Sequence, residues 1–261
     1  MEIIIRPDKE SACLLTARLI AAAMQINPRL VLGLATGRTM EQVYEMLVEM
    51  HRQANLSFAH CRTFNLDEYV GLAETDETSY RYYMNKHLFR LIDIKKSNTH
   101  LPDGKAANLE KECKRYEAKI KKAGGLDFQL LGIGQDGHIG FNEPLSALLS
   151  RTRVKALAPA TIAQNSRFFR DPSKMPRRAI TMGVGTILES KRCVLLATGE
   201  AKAAIIAKAV EGPITSMISA SALQLHPHCT IIIDEAAAVK LEGIDYYRWI
   251  FDHEPEWQEY H

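Results

Sequence analysis

The sequence predicts an α/β protein: a three-layer, mostly parallel open sheet with helices on both faces, Rossmann-like in plan. Three observations carry that reading. At least five short segments are continuous apolar runs, the pattern of strands buried on both faces. The stretches between them repeat apolar residues at three- and four-residue spacing, as helices with one packed face do. The two kinds alternate along the chain, the order that winds a parallel sheet between helical layers.

Residues 2–6 form a first short strand. Asp8 suits the cap of a helix whose apolar face runs Ala12, Leu15, Leu19, Ala22 and Ile26. Residues 30–34 are a second buried strand, ending in Ala35-Thr36-Gly37-Arg38-Thr39. A helix follows with Val43, Leu47 and Met50 on one face. A strand feeding a glycine-and-hydroxyl turn that opens a helix is a natural anion site, because free N–H groups and the helix dipole point at its occupant. A plain cap at Thr36 or Thr39 fits the same residues. The spacing of a Walker loop is missing.

Residues 61–66 make a third strand that runs into Asp67-Glu68-Tyr69. Two acids there lie where α/β sheets place their ligands, although such a pair also serves as a cap or a solvated turn. A helical stretch begins at Ser79 and runs through Phe89. A charged helix over 106–123 turns Leu109, Cys113, Tyr116 and Ile120 inward and ends at Gly124-Gly125.

The segment 126–144, LDFQLLGIGQDGHIGFNEP, holds the densest chemistry. A buried strand over 128–133 breaks on Gly132, Gly134 and Gly137. Asp136, His138 and Glu143 follow at once. An imidazole between two carboxylates, on a turn after a buried strand, suits proton transfer. The carboxylates favour the protonated ring and fix which nitrogen holds the proton. A glycine turn bearing a solvated histidine is the plainer alternative. Gly132, Gly134 and Gly137 also satisfy the dinucleotide pattern G-x-G-x-x-G. That pattern needs a helix at its third glycine and an acid about twenty residues on, and the sequence offers neither.

Beyond Pro144, residues 151–157 read as an edge strand, 161–169 as a short helix carrying Arg167, and 170–178 as a polar, proline-broken connection. The region around 150–180 is thus a candidate mobile lid. A strand follows over 178–182, then a turn into helix over 183–189. Residues 193–197 are a clear buried strand, and the turn after it sets Lys202 in the first turn of a helix. A cation at that position has a reason if it meets a bound phosphate. Residues 229–234 form the last strand. The aromatic, acidic tail over 243–261 finds no place. The strand-end turns at 35–39, 67–72, 132–143 and 198–202 are expected to gather along one edge of the sheet.

Composition bounds the rest. The chain has 261 residues, 46% hydrophobic and 25% charged, with no repeat or linker, so a single domain over 1–261 is expected. The net charge of +2 gives no reason to expect nucleic acid as a partner. No apolar run approaches the ~18 residues of a membrane span, and the N-terminus is a poor secretory signal. Five scattered cysteines without metal spacing fit a reduced, cytoplasmic chain. His226-Pro-His228 lacks a third ligand at useful spacing and reads as surface rather than metal site.

Together, LGLATGRT, TFNLDEYVGL, LLGIGQDGHIGFNEP, SRTRVKAL, NSRFF, ITMGVGTIL and LQLHP resemble the glucosamine-6-phosphate deaminase family, in the same order, over roughly residues 30–235. The resemblance implies a deaminase of hydrolase and isomerase type. It would convert glucosamine 6-phosphate and water to fructose 6-phosphate and ammonia in amino-sugar catabolism, with no cofactor and no obligatory metal. It implies Asp67 as the base shuttling a proton between C2 and C1, and His138 as the group that opens the sugar ring. Asp136 and Glu143 would hold that histidine, and Thr36, Gly37, Arg38, Thr39, Arg167 and Lys202 would bind the phosphate. Arg38 departs from the family, which often has a second glycine there. Some members are hexamers activated by N-acetylglucosamine 6-phosphate. Ser146, Arg153 and Lys155 match that site, with Tyr247 as its candidate tyrosine, but Ala156 replaces a threonine, and a monomer remains open. A 6-phosphogluconolactonase or galactosamine-6-phosphate deaminase shares the fold. A non-catalytic sugar-phosphate sensor would need a DNA-binding segment that the chain lacks.

Overall fold

The structure, a computed structural model, describes residues 1–54 and 56–261. The chain alternates as expected: β1 (Glu2–Arg6), α1 (Lys9–Ile26), β2 (Val31–Leu34), α2 (Arg38–Gln53), β3 (Arg62–Asn65), β4 (Asp67–Tyr69), α3 (Tyr80–Met84) and β5 (Thr99–His100). Then come α4 (Leu109–Lys122), β6 (Phe128–Leu131), β7 (Arg153–Ala156), α5 (Pro159–Asn165), β8 (Arg178–Thr181), α6 (Val184–Leu188), β9 (Arg192–Ala197), α7 (Ala203–Val210), β10 (Cys229–Asp234), α8 (Glu235–Ala238) and α9 (Ile244–His253).

Seven strands form one parallel sheet in the order β1-β10-β9-β6-β2-β3-β5, flanked by helices. Its strands are buried along almost their whole length, which is why they read as unbroken apolar runs. From β2 the chain winds outward through β3 to β5. From β6, on the other side of β2, it winds the opposite way to β9 and β10. The carboxyl ends of β2 and β6 therefore flank the point where the winding reverses, the place where such sheets open a crevice.

Three expectations are corrected. Asp67–Tyr69 is not a turn but β4, in a second, antiparallel sheet of order β4-β8-β7, so β8 leaves the main sheet too. Helix α1 buries Ala12, Cys13, Leu15, Thr16, Ala17, Leu19, Ile20 and Met24, while Ala22 is only half-buried and Ile26 is 87% exposed. The tail does have a place. Helix α9 packs on β1, and Trp257, fully buried, and Tyr260 close over that edge of the sheet. Arg6 lies over Phe251, Arg18 over Tyr260 and Arg192 over Trp257, with Arg192 also 2.9 Å from Glu256.

The small sheet carries its own cluster of Tyr69, Phe141, Leu157, Phe169, Met175 and Ala179, separate from the main core. The region around 150–180, a candidate mobile lid, supplies Leu157, Phe169, Met175 and Ala179 to that cluster. Helix α5 starts at Pro159, whose ring suits a first helical position, and a tighter turn over Ser166–Phe168 follows it.

Candidate active site

A cavity of about 580 Å³ opens at the carboxyl ends of β2, β3, β6 and β9. All four predicted turns reach it: Thr36, Gly37, Arg38 and Thr39 after β2, Asp67 after β3, Gly134, His138 and Gly140 after β6, and Thr198 and Lys202 after β9. Arg167 and Phe168 line it from above.

The Asp67–Glu68 pair divides because successive residues of a strand face opposite ways. Glu68 turns from the cavity and accepts the backbone N–H groups of Tyr69, Tyr80 and Arg81 at 2.9, 3.0 and 2.9 Å, capping α3. Burial pushes its carboxyl up to about 7, against those bonds. Asp67 faces the cavity, buried, and no hydrogen bond reaches its carboxyl among the described residues. Burial first, then the neighbouring Glu68, hold it up at about 8, while His138 acts to lower it.

His138 stands on the turn after β6. Its ring lies across Gly134, where a β-carbon would sit 2.5 Å from Nε2, so only glycine permits this seat. Nδ1 is 2.6 Å from Asp136 Oδ1 and 3.4 Å from Glu143 Oε2, set between the two oxygens rather than aligned on either. Burial acts to lower the imidazole, but the two carboxylates outweigh it and hold the ring up at about 9. Asp136 falls to about 2, because the ring outweighs its burial. Both carboxylates stand behind the ring and off the cavity wall, so Nε2 remains for a ligand. These three residues also have the composition of a metal site. The direct 2.6 Å contact between His138 Nδ1 and Asp136 Oδ1 is that of an ion pair.

The turn after β2 has the form of an anion-binding loop. Gly37, at φ +126°, turns the chain into α2, and no side chain caps that helix, so its first N–H groups face the cavity. Tyr83 holds the loop by donating to the Gly37 carbonyl at 2.8 Å. Lys202 crosses from the turn before α7 and donates to the Ile133 carbonyl at 2.6 Å, and burial lowers its ammonium.

Asn142 escaped sequence reasoning. It donates to the Ile139 and Met182 carbonyls at 2.8 and 2.9 Å and accepts from Arg153 at 2.9 Å, tying the His138 turn to β8 and β7. Tyr69 and Asn165 also line the cavity, joined at 3.1 Å. Of the four residues matched to an effector site, three lie between the end of β6 and the end of β7 and one on α9. Ser146 is buried, and Arg153 and Lys155 are half-buried on β7. Tyr247 lies on α9 beside β1 and donates to Glu211 at 2.8 Å. His226 is not at the surface: it is buried, with Nε2 on the Ser190 carbonyl at 2.7 Å and Nδ1 accepting from the His228 N–H at 3.0 Å.

A doubly wound sheet whose switch-point cleft sets a poised carboxyl and a carboxylate-held imidazole beside an anion cradle defines an acid–base enzyme acting on a small anionic substrate. Residues 9–231 match the family described as glucosamine-6-phosphate isomerases/6-phosphogluconolactonase, and the chain belongs to that family. It is 51% identical to glucosamine-6-phosphate deaminase of Shewanella woodyi over 96% of this chain and 95% of that one. It is 46% identical to the Streptomyces coelicolor deaminase over 99% of both chains. The fold superposes on a solved monomeric glucosamine-6-phosphate deaminase with a TM-score of 0.90, at 44% identity, covering 92% of this chain and all of that one. A 6-phosphogluconolactonase from Trypanosoma cruzi, 22% identical with a TM-score of 0.75 over 92% of this chain and 97% of that one, shares the fold. These relatives support a deaminase of an isomerase family; the hydrolase label finds no support among them.

Proposed function

We propose that this chain converts glucosamine 6-phosphate and water to fructose 6-phosphate and ammonia. The observation that carries the reading is that Asp67 and His138 line one cavity with the Thr36–Thr39 turn, Arg167 and Lys202. The phosphate reacts with nothing; held by the α2 N-terminus and the cations, it fixes the sugar's C1 and C2 under Asp67. His138, protonated at neutral pH, gives a proton to the ring oxygen and, neutral thereby, takes one from the C1 hydroxyl as the ring opens. Asp67 then takes the proton from C2 and returns it at C1, through a planar enol-type intermediate. With a proton gained at O1 and one given up by the nitrogen, that transfer moves the carbonyl oxidation level to C2 as an imine. Water adds there and ammonia leaves, so atoms balance.

An Asp67 carboxyl at about 8 is mostly neutral in the empty cavity. The substrate's ammonium beside it favours the ionised form, so the base is generated where it is needed. The test is ammonia release from pure glucosamine 6-phosphate in the presence of a chelator, run beside the galactosamine epimer and 6-phosphogluconolactone. Ammonia from the glucosamine compound is the expected result. Lactone hydrolysis alone, or a bound sugar phosphate without ammonia, overturns it.

A further inference from the structure

A second cavity, of about 530 Å³, lies at the opposite end of the sheet from the catalytic one. It opens beside the amino ends of three neighbouring strands, β2, β3 and β5. Arg29 lies two residues before β2, Arg62 is the first residue of β3, and Lys95, Ser97 and Asn98 lead into β5. His60 joins them from the turn before β3. Among the described residues, none of these six side chains makes a hydrogen bond or an ion pair with the protein, and no carboxylate lines the cavity. Asp93, close to Lys95 in the chain, is spent elsewhere: it accepts from Ser57 Oγ and from the Phe58 N–H, both at 2.6 Å. The uncompensated charge reaches the strand beneath. His100, half-buried on β5, is lowered to about 4, by burial first and then by Lys119, Arg81, Arg62 and Arg115.

We infer that this second cavity is a binding site for a small anion carrying two or more phosphoryl groups, a pyrophosphate or a bisphosphate. Arg29 and Arg62 each present a planar fork that matches a phosphoryl group bidentately, and Lys95 adds a point charge. Three cations facing one space repel one another, and a singly charged ligand would leave most of that repulsion in place. A ligand with several negative charges cancels it. The apolar part of the wall is two alanines, Ala59 and Ala123, with no aromatic ring on which a nucleobase could stack. The wall therefore suits a compact, fully polar ligand rather than a nucleotide. Its volume falls in the range of small-molecule sites, about 300–1,000 Å³. The four residues of β2 and of β3, roughly 13 Å of strand, separate it from the catalytic cavity, so both sites can fill at once. The inference does not depend on the deamination proposed above.

The test titrates inorganic pyrophosphate by calorimetry into the parent, into Lys202→Met, and into Lys202→Met carrying Arg29→Met and Arg62→Met as well. Thermal melts check that each variant is folded. Lys202→Met weakens the anion cradle of the catalytic cavity, so the binding that survives in it reports the second site. One equivalent is expected to bind there, and the two arginine changes should weaken it about tenfold or more. In the parent background the same two changes should leave KM and kcat for glucosamine 6-phosphate within about twofold, because both residues lie outside the catalytic cavity. Sulfate, with a single tetrahedron and fewer charges, should bind about tenfold or more weakly than pyrophosphate. No pyrophosphate binding in Lys202→Met, undiminished binding after the arginine changes, or equal affinity for sulfate overturns the inference. If the parent releases no ammonia, the deaminase reading fails while the calorimetry still decides the second site.

Discussion

At Asp67, function and stability pull in opposite directions. Its carboxyl, ordinarily near 3.8, is held at about 8, chiefly by burial. A group whose folded value is raised binds its proton more tightly in the folded state. Its contribution is therefore most favourable below about pH 4 and is lost as pH rises through 8. Asp67→Asn has no proton to lose. It should remove nearly all turnover, about 10²–10⁴-fold or more, yet melt several degrees higher than the parent at pH 8, with little difference near pH 4. Matched melting curves at the two pH values check this; a variant less stable than its parent at pH 8 contradicts the burial argument. His138 runs in parallel. Its raised value means that its ion pairing is complete below about pH 6.5 and lost as pH rises through about 9. If the ring donates the proton, the alkaline limb of kcat/KM should lie near that value in the parent. Removing one carboxylate with Asp136→Asn should move the limb toward lower pH by about a unit or more. A limb that stays put would mean that the ring is not the acid.

At the scale of elements, what the sequence revealed and what it hid differ for a physical reason. The main strands were legible because burial on both faces writes an unbroken apolar run, and the cavity turns were legible because strand ends, glycines and polar residues coincide. Strand β4 was not. Its three residues, DEY, owe their form to pairing Glu68 with Ile180, more than a hundred residues along the chain. Its two acids were likewise undivided until strand alternation sent one inward. Asn142 was invisible because its partners, Met182 and Arg153, are joined to it only by the fold. The aromatic tail gave no periodicity that distinguished a capping helix from a loose end. The glycine under His138 tests the same point locally. Gly134→Ala puts a methyl group inside the ring's van der Waals surface, so the ring must leave its seat between Asp136 and Glu143. Activity should fall by about 10²-fold or more with folding largely intact, since a misplaced catalytic group costs rate at that scale. Circular dichroism with steady-state assay distinguishes this from collapse. Trp257→Ala should do the reverse. It empties a fully buried site far from the cavity, and should cost about 3–5 kcal/mol in denaturant unfolding with kcat little changed.

The whole molecule consists of a large core around the parallel sheet and a small one around Tyr69, Phe141, Leu157, Phe169, Met175 and Ala179, with the cavity between them. A cluster of six buried residues encloses far less apolar surface than the main core, and segments with few buried contacts open at lower free energy than the global unfolding. Residues 151–180 should therefore exchange their amide hydrogens through a local opening, well before β2, β6, β9 and β10. The cavity takes Arg167 and Phe168 from that segment and Thr36, Arg38 and Lys202 from the main body. An anion bound among them joins the two parts and is absent from the opened form. By mass action it must stabilise the closed form by RT ln(1 + [L]/Kd), about 2.7 kcal/mol at a hundredfold excess over Kd. Hydrogen exchange with and without saturating inorganic phosphate measures that difference directly. Protection should rise by about a hundredfold over 159–169 and much less in the central strands. Equal protection everywhere would show that the small core opens only with the large one, and that the cavity is closed by the fold itself rather than by what it binds.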